Sequence, residues 1–447
     1  MNILAEAQTH SITQPALNRL TARELKAAFA AGATCKEIVR ACLARIDARE
    51  NDVRAWACID REAVLRHARA LDRMGPRDRP LFGIPIGVKD IIDTADLPTQ
   101  MGSPLYDRHQ AGGDAACVAL AREAGAIILG KTVTCEFAGI MPGPTRNPHT
   151  LAHTPGGSSS GSAAAVADCM VPLAFGTQTG GSVLRPASFC GVFGFKPTFG
   201  ALNRRGIFPA AESLDTIGLF ARSIDDIELF GAALGLDCPK EPADAAPRIG
   251  LCRTPMWDKA QPETAGALED TAERLARAGA IVEAVTLPES FAGLRHAARE
   301  TINNYERAHA MAHEWNTNRD AISDRLRARI ALGRAMAPAE YLAALRLGEE
   351  CRAKLPTVFA NVDFLLAPCV NGEAPRGLSD TGDPSFQCIW TILHTPALSL
   401  PTHRGPNGLP VAIQLVGQRY QDGALLACAR WVWDNATSPR PQRPGLN

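Results

Sequence analysis

Two glycine–serine turns and one lysine are the places in this chain where residue type and spacing offer chemistry. The stretch "TPGGSSSGSAAAVADC" (154–169) runs from serines into alanines, and "GTQTGGSVLRPASFCG" (176–191) has the same flavour. Such turns hold a phosphate, form a flexible linker, or carry serine-based chemistry. The first is compatible with an anion-binding helix N-terminus capped by Ser162 or a neighbour. In the second, successive glycines precede Ser182, so backbone N–H groups can converge without interference from Cβ atoms, as an oxyanion hole requires. A serine at the end of that turn would attack a carbonyl whose oxygen those amides receive. The lysine is Lys89, set in the nearly continuous apolar run "GIPIGVKDII". It either snorkels outward from a strand end or is buried. Burial would strip solvent from its charged form, lower its pKa and make it a base near neutral pH.

Two further patterns carry no chemistry. "GAIILGKT" (125–132) matches the P-loop expression letter for letter, but its intervening Ala-Ile-Ile-Leu reads as a buried strand rather than an open phosphate loop. His309 and His313 lie four apart on an expected helix, with no third ligand and no HExxH order, and read as a surface pair.

The elements that must position these residues alternate in type. "TARELKAAFAAGATCKEIVRACLARID" reads as two amphipathic helices broken at Ala31-Gly32, and "REAVLRHARALDRM" as a third. "PLFGIPIGVKDIIDT" then switches to buried-strand style, "ACVALAREAGA" is helical, "AIILGKT" a strand, the alanines after Ser162 a buried helix, and "MVPLAFGTQT" leads back into a strand. This alternation predicts an α/β fold: a single large domain, 18–437, with a mixed, mostly covered sheet flanked by helices. Residues 240–385 are rich in Arg, Ala and Glu and read as a helical insertion or lid, while 387–395 reads as a strand region. Residues 1–17 are expected to be flexible and the proline-rich 438–447 disordered.

Composition narrows the function class. The 447 residues are 46% hydrophobic and 21% charged, with 47 basic and 47 acidic side chains. A net charge of zero argues against a nucleic-acid surface made by bulk charge. No segment reaches the roughly 18 uninterrupted apolar residues of a membrane helix, and the N-terminus lacks the pattern of a secretory signal. The thirteen cysteines are scattered without a CxxC pair, and Cys58, Cys117 and Cys190 read as reduced packing residues. A cytoplasmic location is expected.

Taken together, the motifs resemble the amidase signature family. In order they are "GIPIGVKDIIDTADLPTQMGS", "AREAGAIILGKTVTCEFA", "TRNP", "TPGGSSSGSAAAVA", "GTQTGGSVLRPASFCGVFGFKPT" and "RGIFPAAESLDTIGLFARSIDD", closing with "PALSLPTHRGPNGLPVAIQLVG". The likeness covers most of 20–235 and 385–435, with the family-type core at 80–235 and 385–435. It implies a catalytic set of Lys89, Ser158 and Ser182. Lys89 matches the lysine of the family's "VKD", Ser158 the serine the family holds behind a cis peptide, and Ser182 the nucleophile. The 24-residue separation of the two serines matches the family's usual spacing. Ser158 would relay the Ser182 proton to a neutral Lys89, and the backbone N–H groups of Thr179, Gly180, Gly181 and Ser182 would hold the oxyanion, each worth about 3 kcal/mol of barrier. No metal or organic cofactor is implied.

The sequence departs from the family in both glycine–serine turns. Many members read "GTDTGGSIR", whereas here Gln178 and Leu184 replace the aspartate and arginine, an arginine follows at Arg185, and Ser160 replaces a frequent glycine. Met141, Pro142 and Trp390 suggest an apolar pocket. The expected substrate is therefore a neutral aryl or alkyl amide, or a carbamate, taken as a small molecule by a monomer or homodimer with no nucleic acid or membrane partner. Two rivals stand beside this amidase reading: the A-type component of a tRNA-dependent amidotransferase complex, and a non-catalytic binding protein on the same fold.

Overall fold

In this computed structural model residues 16–75, 78–239 and 245–437 are described. The expectations for 1–15 and 438–447 fall outside them, and residue 17 opens a short 3-10 turn, Leu17–Arg19. The first two helices, Ala22–Ala30 and Cys35–Val53, each begin with a capping box. The hydroxyls of Thr21 and Thr34 accept from the amides of Glu24 and Glu37, whose carboxylates accept back from the cap amides. The chain breaks between them at Gly32, with φ of +100°, and the third expected helix runs Arg61–Met74.

Eleven strands form one mixed sheet. They are β1 (Trp56–Cys58), β2 (Pro85–Lys89), β3 (Ile127–Thr132), β4 (Leu173–Gln178), β5 (Phe193–Lys196), β6 (Thr216–Ala221), β7 (Arg248–Leu251), β8 (Ile281–Ala284), β9 (Phe364–Pro368), β10 (Ala397–Arg404) and β11 (Pro410–Val416). Their order is β1-β3-β2-β4-β6-β5-β10-β11-β9-β7-β8. Strands β2 to β6 and β9 and β11 are buried at every position, as expected of a sheet covered by helices on both faces. The α/β fold with a mixed, covered sheet is therefore as the sequence predicts. The P-loop look-alike is the buried strand β3, all of it covered.

Two expectations need correction. The 240–385 stretch is not purely helical, because β7, β8 and β9 lie within it and extend the sheet by three strands. The 387–395 region is not a strand but lies mostly in the helix Ser385–Ile392. Its entirely buried, β-branched and aromatic sequence has the same composition as a core strand, so periodicity does not separate the two.

Strands β3, β2 and β4 are mutually parallel, so their C-terminal ends lie at one edge. In open α/β sheets that edge is where ligands bind. Lys89 ends β2, the turn carrying Ser182 follows β4, and the loop after β3 runs to Gly139. The helix Ser160–Ala167 starts above the same edge.

Candidate active site

Lys89 is fully buried, which decides between snorkelling and burial. Its register explains where it points. Val88 pairs with Phe175 on β4, so the next residue reaches Thr177. Lys89 Nζ lies 2.7 Å from Thr177 Oγ1 and 2.8 Å from Ser158 Oγ. No carboxylate is within ion-pair distance of it among the described residues. Desolvation by burial is the main cause that lowers its pKa to about 7, while distant Asp215 pulls the other way. The amine thus has two hydroxyls as its near partners, with the Thr177 carbonyl oxygen farther off at 3.5 Å.

Ser158 follows a cis peptide bond from Gly157 and is buried. Two bonds tie its loop to β4: Ser159 Oγ donates to Thr177 O at 3.2 Å and accepts from Thr177 N at 3.3 Å. Of Ser162 and its neighbours, it is a neighbour that stands at the head of the helix, without a side-chain capping bond. The N-cap is Ser159, and Ser162 is buried one turn in, donating to Phe175 O at 2.8 Å. The serines of this stretch therefore lock the loop to the sheet rather than present a helix N-terminus to an anion.

Ser182 is half-buried and lines a cavity of about 290 Å³ together with Thr179 and Gly181. Its hydroxyl has no hydrogen-bond partner among the described residues, so the chain of contacts is closed from Lys89 to Ser158 and open from Ser158 to Ser182. Hydrogen bonds of this kind commonly tighten only when substrate is bound. The turn itself is held by its carbonyls. Thr179 O accepts from Arg299 Nε at 3.4 Å, Gly180 O from Thr391 Oγ1 at 2.7 Å, and Gly181 O from the Arg185 amide at 3.0 Å. The amides of Gly180, Gly181 and Ser182 have no acceptor among the described residues. The Arg299 guanidinium lies directly over Gly180, where a Cβ would sit 2.5 Å from Nη2.

Several contributors escaped the sequence reading. Gln178, one of the departures, accepts from the amides of Val183 and Leu184 at 2.9 and 3.1 Å and donates to Thr391 at 3.0 Å. Its uncharged amide fixes the segment just after Ser182. Asp215 is buried and accepts from Thr179 Oγ1 at 2.5 Å and from the amides of Ala210 and Ala211; burial pushes its carboxyl above the usual range. Leu184 packs into the core, and Arg185 turns inward to the cavity, 5% exposed. Arg185 Nη2 donates to Gly157 O at 2.7 Å and to Thr381 Oγ1 at 3.0 Å. An arginine three residues after Ser182 thus turns into the cavity.

The apolar pocket expected from three side chains is not what surrounds Ser182. Trp390 is fully buried in the core, Met141 is 42% exposed on the outer surface, Pro142 is half-buried, and none of the three lines the cavity. A large apolar side chain is driven equally to a core or a pocket, and here the core took Trp390. His309 and His313 are both exposed, as the surface-pair reading has it.

The profile of the Amidase family matches residues 37–426. The A-type component of the glutamyl-tRNA(Gln) amidotransferase of Nitratidesulfovibrio vulgaris is 32% identical, with the match covering 98% of this chain and 99% of that one. Among solved structures, a crystal structure of an amidase superposes with a TM-score of 0.85 at 30% identity, covering 92% of this chain and 99% of that one. The peptide amidase of Stenotrophomonas maltophilia gives 0.82 at 28%, covering 96% and 99%. With a family match spanning most of its length and a sheet of the same architecture carrying the glycine–serine turns at one edge, this chain belongs to the amidase signature family of amidohydrolases.

Proposed function

We propose that this protein hydrolyses the C–N bond of a linear amide through an acyl-enzyme on Ser182, with Ser158 and Lys89 moving the proton. The observation that carries this reading is the buried Lys89 amine, which has no carboxylate partner among the described residues and lies 2.8 Å from the Ser158 hydroxyl. As Ser182 Oγ bonds to the carbonyl carbon, its proton passes to Ser158 and the Ser158 proton to the neutral amine. The carbonyl electron pair moves onto oxygen, where the amides of Thr179, Gly180, Gly181 and Ser182 receive it. Collapse of the intermediate breaks the C–N bond, and the proton returns through Ser158 to the leaving nitrogen. Water then attacks the ester by the same path in reverse, releasing the acid and the free serine. A carbamate passes through the same intermediate and belongs to the same substrate panel.

A fluorophosphonate probe tests the assignment. It should add its mass to Ser182 and to no residue in Ser182→Ala, and an amide, ester and carbamate panel on the purified chain should give turnover that the same substitution removes. Unchanged labelling in Ser182→Ala would refute the nucleophile.

A second reading, as the ammonia-producing component of an amidotransferase, is favoured by the curated relatives near 30% identity. It requires that the isolated chain be inactive and that a stoichiometric partner restore activity. Turnover by the isolated chain excludes it.

A further inference from the structure

Around Ser182 the cavity wall is built of guanidinium groups. Arg185, Arg295, Arg299, Arg307, Arg325 and Arg329 line it, against two carboxylates, Glu300 and Asp380. Four residues come from one helical segment at a spacing of four: Arg295, Arg299, Asn303 and Arg307. That spacing overshoots an α-helical turn by about 40° per step. The segment runs as a π-helix over Arg295–Glu300 and as an α-helix over Thr301–Ala310. A π turn undershoots where the α turn overshoots, so the two drifts oppose each other and the stripe stays on one face. The helix Asp324–Ala335 adds Arg325 and Arg329, again four apart. The two helices approach closely because position 333 is glycine; a Cβ there would lie 1.9 Å from Asn304 O. The part of the chain that the family resemblance leaves unspecified thus supplies most of the cavity's charge.

Half of these cations are already paired or tied. Arg295 meets Asp383 at 3.1 Å, Arg325 meets Asp380 at 3.9 Å, and Arg307 donates to Phe137 O at 2.9 Å with Asp215 nearby. The other three have no ion pair among the described residues. Arg185 is buried, bonds only to Gly157 O and Thr381, and has no partner for Nε or Nη1. Arg299 reaches only Thr179 O, and Arg329 makes no hydrogen bond or ion pair among the described residues. The Asn303 side-chain carbonyl, on a residue 2% exposed, is also without a partner. For Arg185, which is buried, an unpaired charge is costly unless a counter-ion satisfies it; Arg299 and Arg329 are half-buried and offer their free donors to the cavity. Burial first and then Arg299 push the Arg329 guanidinium below its usual range, with Glu300 opposing them beyond ion-pair distance; burial brings that of Arg307 to about 10, with Asp215 opposing it and Arg299 adding to it.

We infer that the amide cleaved at Ser182 carries a carboxylate, held by Arg299 and Arg329 with Arg185 facing it across the cavity, so that the substrate class is the small anionic amide rather than the neutral aryl or alkyl amide. This rests on the amidohydrolase reading for its chemistry but not for its binding. The planar guanidinium fork matches a carboxylate in a bidentate way that a neutral amide cannot reproduce. A cavity of about 290 Å³ is near the lower limit of small-molecule sites, which suits a short acid amide.

The experiment has a binding arm and a turnover arm. The binding arm is calorimetry of Ser182→Ala with succinamate, a carboxylate amide, and with succinamide, its neutral counterpart. Binding of the acid at least tenfold tighter is expected, falling by on the order of ten- to a hundredfold when Arg299→Gln or Arg329→Gln is added, the size expected for losing a charge-assisted contact. Arg329→Lys, which retains charge and bulk, should recover part of the loss and serves as the control for folding. Equal binding of acid and diamide, or tighter binding of the diamide, overturns the inference. The turnover arm compares kcat/KM for the same two amides in the wild-type enzyme, with the Arg329→Gln effect expected mainly in KM. Preference for the acid in binding without turnover of either would leave the carboxylate site standing and count against the hydrolytic reading. Turnover of the diamide alone would do the reverse.

Discussion

Lys89 and Lys131 stand on neighbouring parallel strands, one at the end of β2 and the other paired with Val88 across the ladder. Both are fully buried. Lys131 Nζ meets Asp90 Oδ1 at 3.1 Å, Thr99 Oγ1 at 2.7 Å and Pro98 O at 3.2 Å. Lys89 meets two hydroxyls, and its third neighbour, Thr177 O, is 3.5 Å away. Burial pulls both amines toward the neutral form, and it also raises Asp90. Only Lys131 has a carboxylate to hold its charge. Burial alone therefore does not make a base; the partner set does. Lys196 sharpens the point: it too is brought to about 7 by burial, but its amine faces the backbone oxygens of Pro197 and Thr395, which have no proton to give.

The largest expected difference is in turnover. Lys89→Ala should lower kcat/KM by about 10³- to 10⁴-fold, the range of a lost general base, without a comparable loss of stability. Lys131→Met should do the reverse. It leaves Asp90 buried without its counter-ion, a cost of about 3–5 kcal/mol, read as a lower midpoint in chemical denaturation, while the folded fraction retains turnover. A folded but inactive Lys131→Met enzyme would break the comparison. Ser158→Ala should cost less than Lys89→Ala, about 10²-fold, because a water can stand in for the hydroxyl; the same rate assay ranks the two.

The pH dependence follows from the sign of the shift. A base works when deprotonated, so kcat/KM should rise with pH through a single ionisation near 7 and then level off. Lys196→Met should leave that limb in place although the residue it replaces titrates in the same range. In stability Lys89 and Lys196 act alike. Their folded pKa values lie below the unfolded value of about 10.4, so between pH 7 and 10.4 the unfolded chain holds more protons and their contribution to stability rises with pH. The smallest effect is that of Thr177→Val, which removes the contact at 2.7 Å. Roughly a tenfold fall in kcat/KM is expected from this variant, with its pH limb displaced from that of the wild-type enzyme.

Much of this arrangement was legible in the sequence because it is written in short local patterns. The glycines ahead of Ser182, the serine run at 158–160 and the lysine in an apolar strand are each visible without tertiary information. The mixed sheet was legible from alternation, since β2, β3 and β4 are continuous apolar runs. What stayed hidden depends on long-range placement. Strands β7, β8 and β9 are only four or five residues long and lie among helices rich in Ala and Arg, so composition masks them. The arginines of the cavity are invisible in a chain whose charges sum to zero, and their common face depends on a π turn that no residue pattern announces. Trp390 and the cavity-lining Arg185 exchanged the roles that hydrophobicity alone assigns.

Reactivity of Ser182 toward a fluorophosphonate as a function of pH measures the proton relay directly and requires no knowledge of the substrate. The second-order labelling rate of the wild-type protein should climb through an ionisation close to neutrality, and in Lys89→Ala it should be slow and flat over the same range. Equal rates in the two proteins on the alkaline side of that ionisation, up to about pH 9, would contradict a relay that ends on residue 89.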